Sequence, residues 1–411
     1  MSFFCYRIGG NSVAIAGIIA EYNPLHGGHL RQLRRVRELL GAETAVVCAM
    51  SGNFVQRGDF ALLPKHARAE AAVRSGADLV LELPLSWAAA PAERFAQGGV
   101  EVLTGTGLVT HLIFGSESGD GEAVRKAAEA LLSGDFSRRL RGELSGPVSF
   151  AAARQRALEG ILGTEGAAVL SQPNDILAVE YCKAILSQDS PLEPFPIRRE
   201  GSYHAPLPDR ENPSASSLRS LMLQSEAWLD YLPEAVRDCF RAAPLHTLDT
   251  GERAILYRLR AMSDAEYEAL PYGSEGLWRK LMRAAREEAT LEAVVSAVKS
   301  KRYTRTRIDR MVMCAFLGIT REILAAPVPY TRALAFNETG RSVLKTAKKK
   351  GTFRNAGERT DHPYWTLEKR CGDLYGLFCQ EAPEPPGAEE KRRIHMVSCP
   401  ETGSKGEAPR K

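Results

Sequence analysis

Residues Val13–Ala20 read Val-Ala-Ile-Ala-Gly-Ile-Ile-Ala, an apolar run that stops at a polar turn and is followed by His26-Gly27-Gly28-His29-Leu30. A strand of this composition, with no polar alternation, is buried on both faces, and that requires a parallel sheet flanked by helices. The two histidines lie three apart at the start of a helical pattern, so they face the same way. A helix start presents unpaired N–H groups and the positive end of the dipole, and Gly28 lets a ligand approach the backbone closely. The combination suits phosphate groups held at the end of a strand.

The alternation continues. Strand-like runs occupy Thr44–Met50, Asp78–Leu83 and His111–Phe114, with helical patterns between them at Leu30–Leu40, Lys65–Arg74 and Ala92–Leu103. Right-handed crossovers turn this order into an α/β domain with a Rossmann-like, doubly wound parallel sheet. Further helices are expected at Gly121–Leu132, at Ser149–Leu162 and from Asn174-Asp175, where the asparagine suits an N-cap. A strand at Phe195–Arg199 should return to the sheet. Past residue 230 strand signals fade, and helical patterns follow at Glu252–Met262, Leu277–Lys299 and Ile308–Phe316. The expected organisation is a loose extension over 1–12, an α/β domain over 13–230, a mainly α-helical domain over 231–380, and a disordered tail rich in proline and charge over 381–411.

At 411 residues, 44% hydrophobic and 25% charged, the chain has an ordinary globular balance and room for two cores. No apolar run approaches the length of a membrane span, and Met1–Ser12 lacks the pattern of a signal peptide. A cytoplasmic location without a membrane partner is expected. The eight cysteines form no Cys-x-x-Cys pair, which fits buried thiols in a reducing compartment better than a disulfide framework or structural zinc.

The net charge of +4 is unevenly distributed. Lys299, Lys301, Arg302, Arg305 and Arg307 crowd one segment around Tyr303, and Lys345, Lys348, Lys349 and Lys350 crowd another, preceded by Pro329–Arg341. Basic residues interleaved with an aromatic suit phosphodiester contacts and stacking on an unstacked base. A solvated charged helix is the competing reading.

Four elements should meet at the carboxyl ends of the strands. The first is Asn23–His29, whose imidazoles can donate to phosphate oxygens; metal ligation is the competing role, with no third ligand nearby. Ser51–Asp59 follows a strand and reads either as a polar pocket wall or as an ordinary loop. Lys65, at the next helix start, could reach a phosphate, although a solvated lysine is the default. Phe114–Glu117 offers Gly115 at a strand end for a base or ribose. Asn174, Arg198 and Arg199, with the hydroxyl-rich start Ser214–Arg219, supply further anion donors. His66, His111 and His204 read as structural or solvated, and Glu93, Arg94 and Glu101 as exposed helix faces.

Gly17–Leu30, Met50–Gly58, Asp78–Pro84, Phe114–Glu117, Pro173–Leu177, Arg198–His204 and Arg302–Arg310 together resemble the bacterial tRNA(Met) cytidine acetate ligase family. The resemblance runs from about Ala14 to about Phe378, in order, and rests most on Glu-Tyr-Asn-Pro-x-His-x-Gly-His and Ser-Gly-Asn-Phe-Val-Gln-Arg-Gly. It implies a nucleotidyltransferase-like domain that activates acetate with ATP as acetyl-adenylate and then acetylates N4 of the wobble cytidine of elongator tRNA(Met). His26 and His29 would be catalytic. ATP contacts would fall on Ile19, Ala20, Glu21, Tyr22, Asn23, Pro24, Leu25, His26, Gly27, Gly28, His29, Leu30, Arg31 and Gln32, and on Gly115, Asn174, Arg198 and Arg199. Ser214, Ser216, Ser217 and Arg219 resemble the superfamily's phosphate motif. Lys299, Lys301, Arg302, Arg305, Arg307, Lys348, Lys349 and Lys350 are the candidates for tRNA. Mg2+ would accompany ATP, but no carboxylate cluster identifies a protein metal site. Two rivals stand beside this reading. A cofactor-biosynthetic nucleotidyltransferase would leave the basic helical half without a purpose, and a non-catalytic RNA-binding protein would not need the histidines.

Overall fold

The structure is a computed structural model that describes residues 6–8, 11–146, 148–199 and 213–398. A short antiparallel hairpin of β1 (Tyr6–Ile8) and β2 (Asn11–Val13) precedes the main sheet. The extension expected over 1–12 thus contains paired backbone, and the long strand begins at Ile15 rather than Val13. That strand, β3 (Ile15–Ala20), pairs in parallel with β4 (Ala45–Ser51). A small hairpin follows, β5 (Phe54–Val55) with β6 (Asp59–Phe60). Then β7 (Leu79–Leu83), β8 (His111–Ser116) and β9 (Glu193–Arg198) complete the parallel part of the sheet.

The spatial order β7-β4-β3-β8-β9 means that the winding reverses at β3, between β4 and β8. Ligands of such sheets bind outside the carboxyl ends of the strands at that switch point. Both faces are covered, as the apolar runs require. Ile15, Val47, Ala49 and Leu79 pack into one buried cluster, while Ala16, Ile18, Val46, Cys48 and Met50, alternating with them along the strands, pack into another.

The helices Lys65–Arg74 and Gly121–Leu132 match the sequence reading, while Ser149–Leu162 becomes Phe150–Ala167, broken at Gly163 with φ 74°. The single helix expected over Leu277–Lys299 is two, Leu277–Glu287 and Leu291–Val298, because Thr290 Oγ1 accepts the Ala293 N–H and starts a new helix. Leu256, Leu281, Val294, Met311 and Phe316 form a separate helical core, into which the β5–β6 hairpin inserts Phe54 and Phe60. Arg94 is not simply exposed; it donates to the Leu324 carbonyl.

Strand structure does not end at residue 230. β10 (Thr331–Phe336) enters the sheet antiparallel to β7, and β11 (Phe353–Asn355) and β12 (His395–Met396) pair in parallel with β10. Pro329–Arg341, which sequence reading joined to the basic helical half, therefore serves the sheet. Asn337 caps the Glu338–Ala347 helix through the Gly340 N–H and donates to Asp78, and a Cβ at Gly340 would lie 1.8 Å from the Asp78 carbonyl oxygen.

The tail is also structured up to residue 398. Glu389 accepts from Asn53 Nδ2 at 2.7 Å and lies 3.3 Å from Lys65 Nζ, which also bonds Glu82 at 2.9 Å. Lys65 is thus a buried member of an ion network and not a solvated phosphate donor. The six described cysteines are free. Cys5, Cys399, His204 and residues 200–212 lie outside the described residues, as does the tail beyond 398. No described helix is long and apolar enough to cross a membrane.

Candidate functional site

At the carboxyl end of β3 the chain turns into the Gly27–Leu40 helix, with His26 as its N-cap. The Gly28 N–H donates to His26 Nδ1 at 3.1 Å, and the His26 N–H donates to His29 Nδ1 at 3.2 Å. This is a capping box built from two imidazoles, and it fixes their chemistry. A nitrogen that accepts an N–H carries no proton, so each neutral ring holds its proton on Nε2. Burial first, and then the charges of Arg199, Arg31 and Arg219, push the His26 pKa down to about 3. Burial, His26 and Arg199 hold His29 well below the usual histidine range. Both rings are therefore neutral Nε2–H donors at pH 7.

The remaining residues of the first motif divide between support and exposure. Tyr22, Asn23, Pro24 and Leu25 are buried; Asn23 Oδ1 accepts the Leu62 N–H at 3.1 Å, and the Tyr22 ring stands edge-on to His29, 5.0 Å between centroids. Ile19, Ala20, Glu21, Gly27, Gly28, His29, Leu30 and Gln32 are half-buried around the mouth, and Arg31 is exposed. Beneath them Arg68, fully buried, ties the ends of β3 and β4 together. Its guanidinium donates to the Glu21 carbonyl at 2.5 Å, the Ser51 carbonyl at 3.1 Å, the Leu63 carbonyl at 2.9 Å and the Gly52 carbonyl.

The end of β8 meets the Pro173–Ser187 helix through two carboxylates. Glu117 accepts the N–H groups of Asn174 and Asp175 at 3.2 and 2.9 Å, and Asn174 Nδ2 at 2.6 Å. Asp175 in return accepts the Ser116 hydroxyl and the N–H groups of Glu117 and Ser118, the latter two at 3.1 Å. Asn174 is therefore not the N-cap, which is Gln172. Its side chain is instead held between Glu117 and Arg199, whose Nη1 donates to Asn174 Oδ1 at 3.1 Å.

The stem of Arg199 covers Gly115, where a Cβ would lie 2.9 Å from Arg199 Cδ, while Arg198 points its stem at Gly119. Ser214 caps the Ala215–Met222 helix and accepts the Ser217 N–H at 3.1 Å. Arg219 donates from that helix to the Asn23 carbonyl at 2.9 Å and to Ser216 Oγ at 3.1 Å. Arg31, Arg199 and Arg219 thus gather around the two imidazoles, while Ser214 and Ser217 are engaged in capping.

The basic segment lies on the helical half. Tyr303 is buried and its hydroxyl reaches Glu275, so it does not offer a face for stacking on a base. Arg302 pairs with Glu275 and Arg305 with Glu292, while Arg307 donates to the Tyr272 carbonyl. Lys299 and Lys301 are exposed. In the second cluster Lys348 bonds Asn355 Oδ1 and Lys350 bonds the Gly107 carbonyl, with Lys349 exposed between them. Arg68 was not named in the sequence reading, and Glu117, Asp175 and Arg310 entered it only as members of quoted segments with no role of their own. The acids following a strand end and opening a helix were the available signal for two of them.

No group of three or more described His, Cys, Asp or Glu residues is arranged to hold a metal ion. Residues 13–389 match the family model described as HIGH Nucleotidyl Transferase. The chain is 36% identical over 355 residues to a tRNA(Met) cytidine acetate ligase of Clostridium novyi, covering 82% of this chain and 88% of the relative. A protein of the same name from Alkaliphilus metalliredigens is 35% identical over 367 residues, 82% of this chain and 86% of the relative. Thermotoga maritima TmcAL bound with alpha-thio ATP matches with a TM-score of 0.82 at 30% identity, covering 93% of this chain and 99% of that one. Its apo form matches with a TM-score of 0.84.

Proposed function

Since the chain belongs to the tRNA(Met) cytidine acetate ligase family, we propose that it activates acetate with ATP and transfers the acetyl group to N4 of the wobble cytidine of elongator tRNA(Met). The observation that carries this reading is the pair of neutral Nε2–H donors, His26 and His29, at a helix N-terminus on the sheet's switch point, with Arg31, Arg199 and Arg219 around them.

In the first step an acetate oxygen attacks the α-phosphorus, the bond to the β-phosphate oxygen breaks, and pyrophosphate leaves. Negative charge grows on the α-phosphoryl oxygens in the transition state. His26 and His29 donate there without having to lose a proton, and the helix dipole adds to the field. A fixed donor of this kind lowers the barrier by about 3–4 kcal/mol. Arg199 and Arg219 suit the β- and γ-phosphates of the leaving group. Glu117 and Asp175, at the end of β8, are engaged by N–H donors and do not fit a magnesium cage. Magnesium that arrives with ATP would keep its waters and phosphate ligands.

The second step joins a weak amine nucleophile to the mixed anhydride, so it depends on positioning and on exclusion of water. The exposed Lys299 and Lys301 on the helical half support a role for that half in holding tRNA, and a tRNA substrate implies work in the cytoplasm. The test is incubation with ATP, acetate and an elongator tRNA(Met) transcript, followed by mass analysis of nuclease fragments. An added acetyl group on the wobble cytidine, with AMP and pyrophosphate released, is the expected result. An unmodified transcript under conditions that consume ATP would contradict it.

A further inference from the structure

Glu21 has no task in the adenylation step described above. It follows the last residue of β3 and stands five residues ahead of His26, half-buried at the mouth of the site. The Gln56 N–H donates to its carboxylate, at 2.8 Å to Oε1. The carbonyl of the same residue accepts Arg310 Nη1 at 3.1 Å. Arg310 belongs to the Arg305–Leu317 helix of the helical half, and it is buried. The tip of the β5–β6 hairpin lies against the backbone of that helix so closely that a Cβ at Gly58 would stand 2.2 Å from the Arg310 nitrogen. Residue 56 therefore bridges the strand end that bears Glu21 and the helix that begins within the basic segment.

The other carboxylates near the site are committed elsewhere. Glu117 and Asp175 cap the junction of β8 with the Pro173–Ser187 helix. Asp59 turns back on the N–H of Phe60 at 2.8 Å. Arg219 donates to the Asn23 carbonyl at 2.9 Å, between Glu21 and His26 in the chain, and its charge acts on both side chains.

We propose that Glu21 accepts the proton released by the cytidine N4 amine during acetyl transfer, and that residue 56, clamped by Arg310, holds it in position. The proposal rests on the ligase reading above. The amine nitrogen attacks the acetyl carbonyl carbon and forms the C–N bond. One N–H proton passes to a Glu21 carboxylate oxygen and later to solvent. Collapse of the tetrahedral adduct breaks the bond from the acetyl carbon to the phosphate oxygen, and AMP leaves with the electron pair. Enclosure raises the Glu21 pKa, while the Gln56 N–H, Arg219, Arg68 and Arg57 lower it, leaving it above the ordinary carboxylate value. Tyr181 also faces it.

The backbone allows a clean test. Gly58 N–H donates to the Val55 carbonyl at 3.1 Å, and Gly58 has φ 80°, so Val55–Gly58 is a tight turn with Gln56 at its second position. Proline is favoured there; it removes the N–H together with the glutamine side chain and keeps the carbonyl that accepts Arg310. Two rates are measured against pH, acetate-dependent exchange of labelled pyrophosphate into ATP and acetyl transfer to tRNA. In Glu21→Gln, transfer should fall about a hundredfold further than exchange does. In Gln56→Pro, the acid limb of the transfer profile should move to higher pH, because the lost N–H stabilised the carboxylate, while the exchange profile keeps its limb. A parallel fall of both rates in both variants, with unshifted profiles, would overturn the proposal, as would full transfer by Glu21→Gln. If exchange by the unaltered protein ignored acetate, the ligase reading itself would fall, and this proposal with it.

Discussion

The ring of His26 lies 3.9 Å from the ring of His29, centroid to centroid, and each ring gives its Nδ1 to a backbone N–H of the same helix start. Two cationic imidazoles would repel each other at that distance and among three arginines. The arrangement is stable because both are neutral, and it leaves two Nε2–H groups for a ligand oxygen. His26→Ala or His29→Ala should each reduce the rate of acetate-dependent pyrophosphate exchange by about 100- to 1000-fold. The lost cap at His26 should cost about 1 kcal/mol of stability, read from urea unfolding.

Asp175→Ala should affect both stability and nucleotide binding. The buried Ser116 hydroxyl loses its acceptor together with the N–H groups of Glu117 and Ser118, and the buried hydroxyl alone costs about 1–3 kcal/mol. The helix start that holds Asn174, and through it Arg199, loses its registration. Titration with ATP should show weaker binding than in the parent chain, beyond what the fraction unfolded explains.

The network around Lys65 predicts unequal effects. Lys65→Met leaves Glu82 and Glu389 without their cation in a buried site, a change of about 3–5 kcal/mol. Glu389→Gln should be milder, because Lys65 retains Glu82 and Asn53 can still bond the amide. Equal destabilisation in the two variants, measured by denaturant midpoint, would contradict this order.

The charged segment predicts a salt signature. Replacing Lys299 and Lys301 by Gln should weaken tRNA binding and flatten the dependence of log Kd on log salt by up to about one unit per lost phosphate contact, without lowering pyrophosphate exchange. Arg302→Gln should do less, since Arg302 is already paired with Glu275.

Stability should fall as the pH is lowered from 6.5. Burial depresses His26 and His66 to about 3 and His246 to about 4, against 6.5 for a free histidine. Between those values the unfolded chain binds protons that the folded chain refuses, so acid favours unfolding. Urea unfolding at pH 7.5 and 5 should show the loss. His246→Phe, which keeps a ring against Tyr375 at the stacked distance of 4.0 Å, should reduce the slope.

The site was legible where chemistry and sequence are contiguous. β3, the turn and His26 to His29 lie in one short run, so apolar burial, helix start and donors could be read together. The parallel strands up to β9 could be read from composition for the same reason, but their order in the sheet could not. What escaped was held by distant partners. Lys65 looked solvated because Glu389 lies far along the chain, in a segment whose proline and charge suggested disorder. β10 is six residues long and carries Arg332, which is buried only because Glu368 and two backbone carbonyls receive its guanidinium. Tyr303 reads as an RNA-stacking residue by its neighbours, and only the packing of the helical core against it shows otherwise.

The central claim is that the imidazole pair catalyses adenylation of a carboxylate. Exchange of labelled pyrophosphate into ATP, measured with and without acetate and in the absence of tRNA, tests it most directly. The account predicts exchange that requires acetate and collapses in His29→Ala while ATP still binds. Exchange that proceeds equally well without acetate, or survives in His29→Ala, would contradict it.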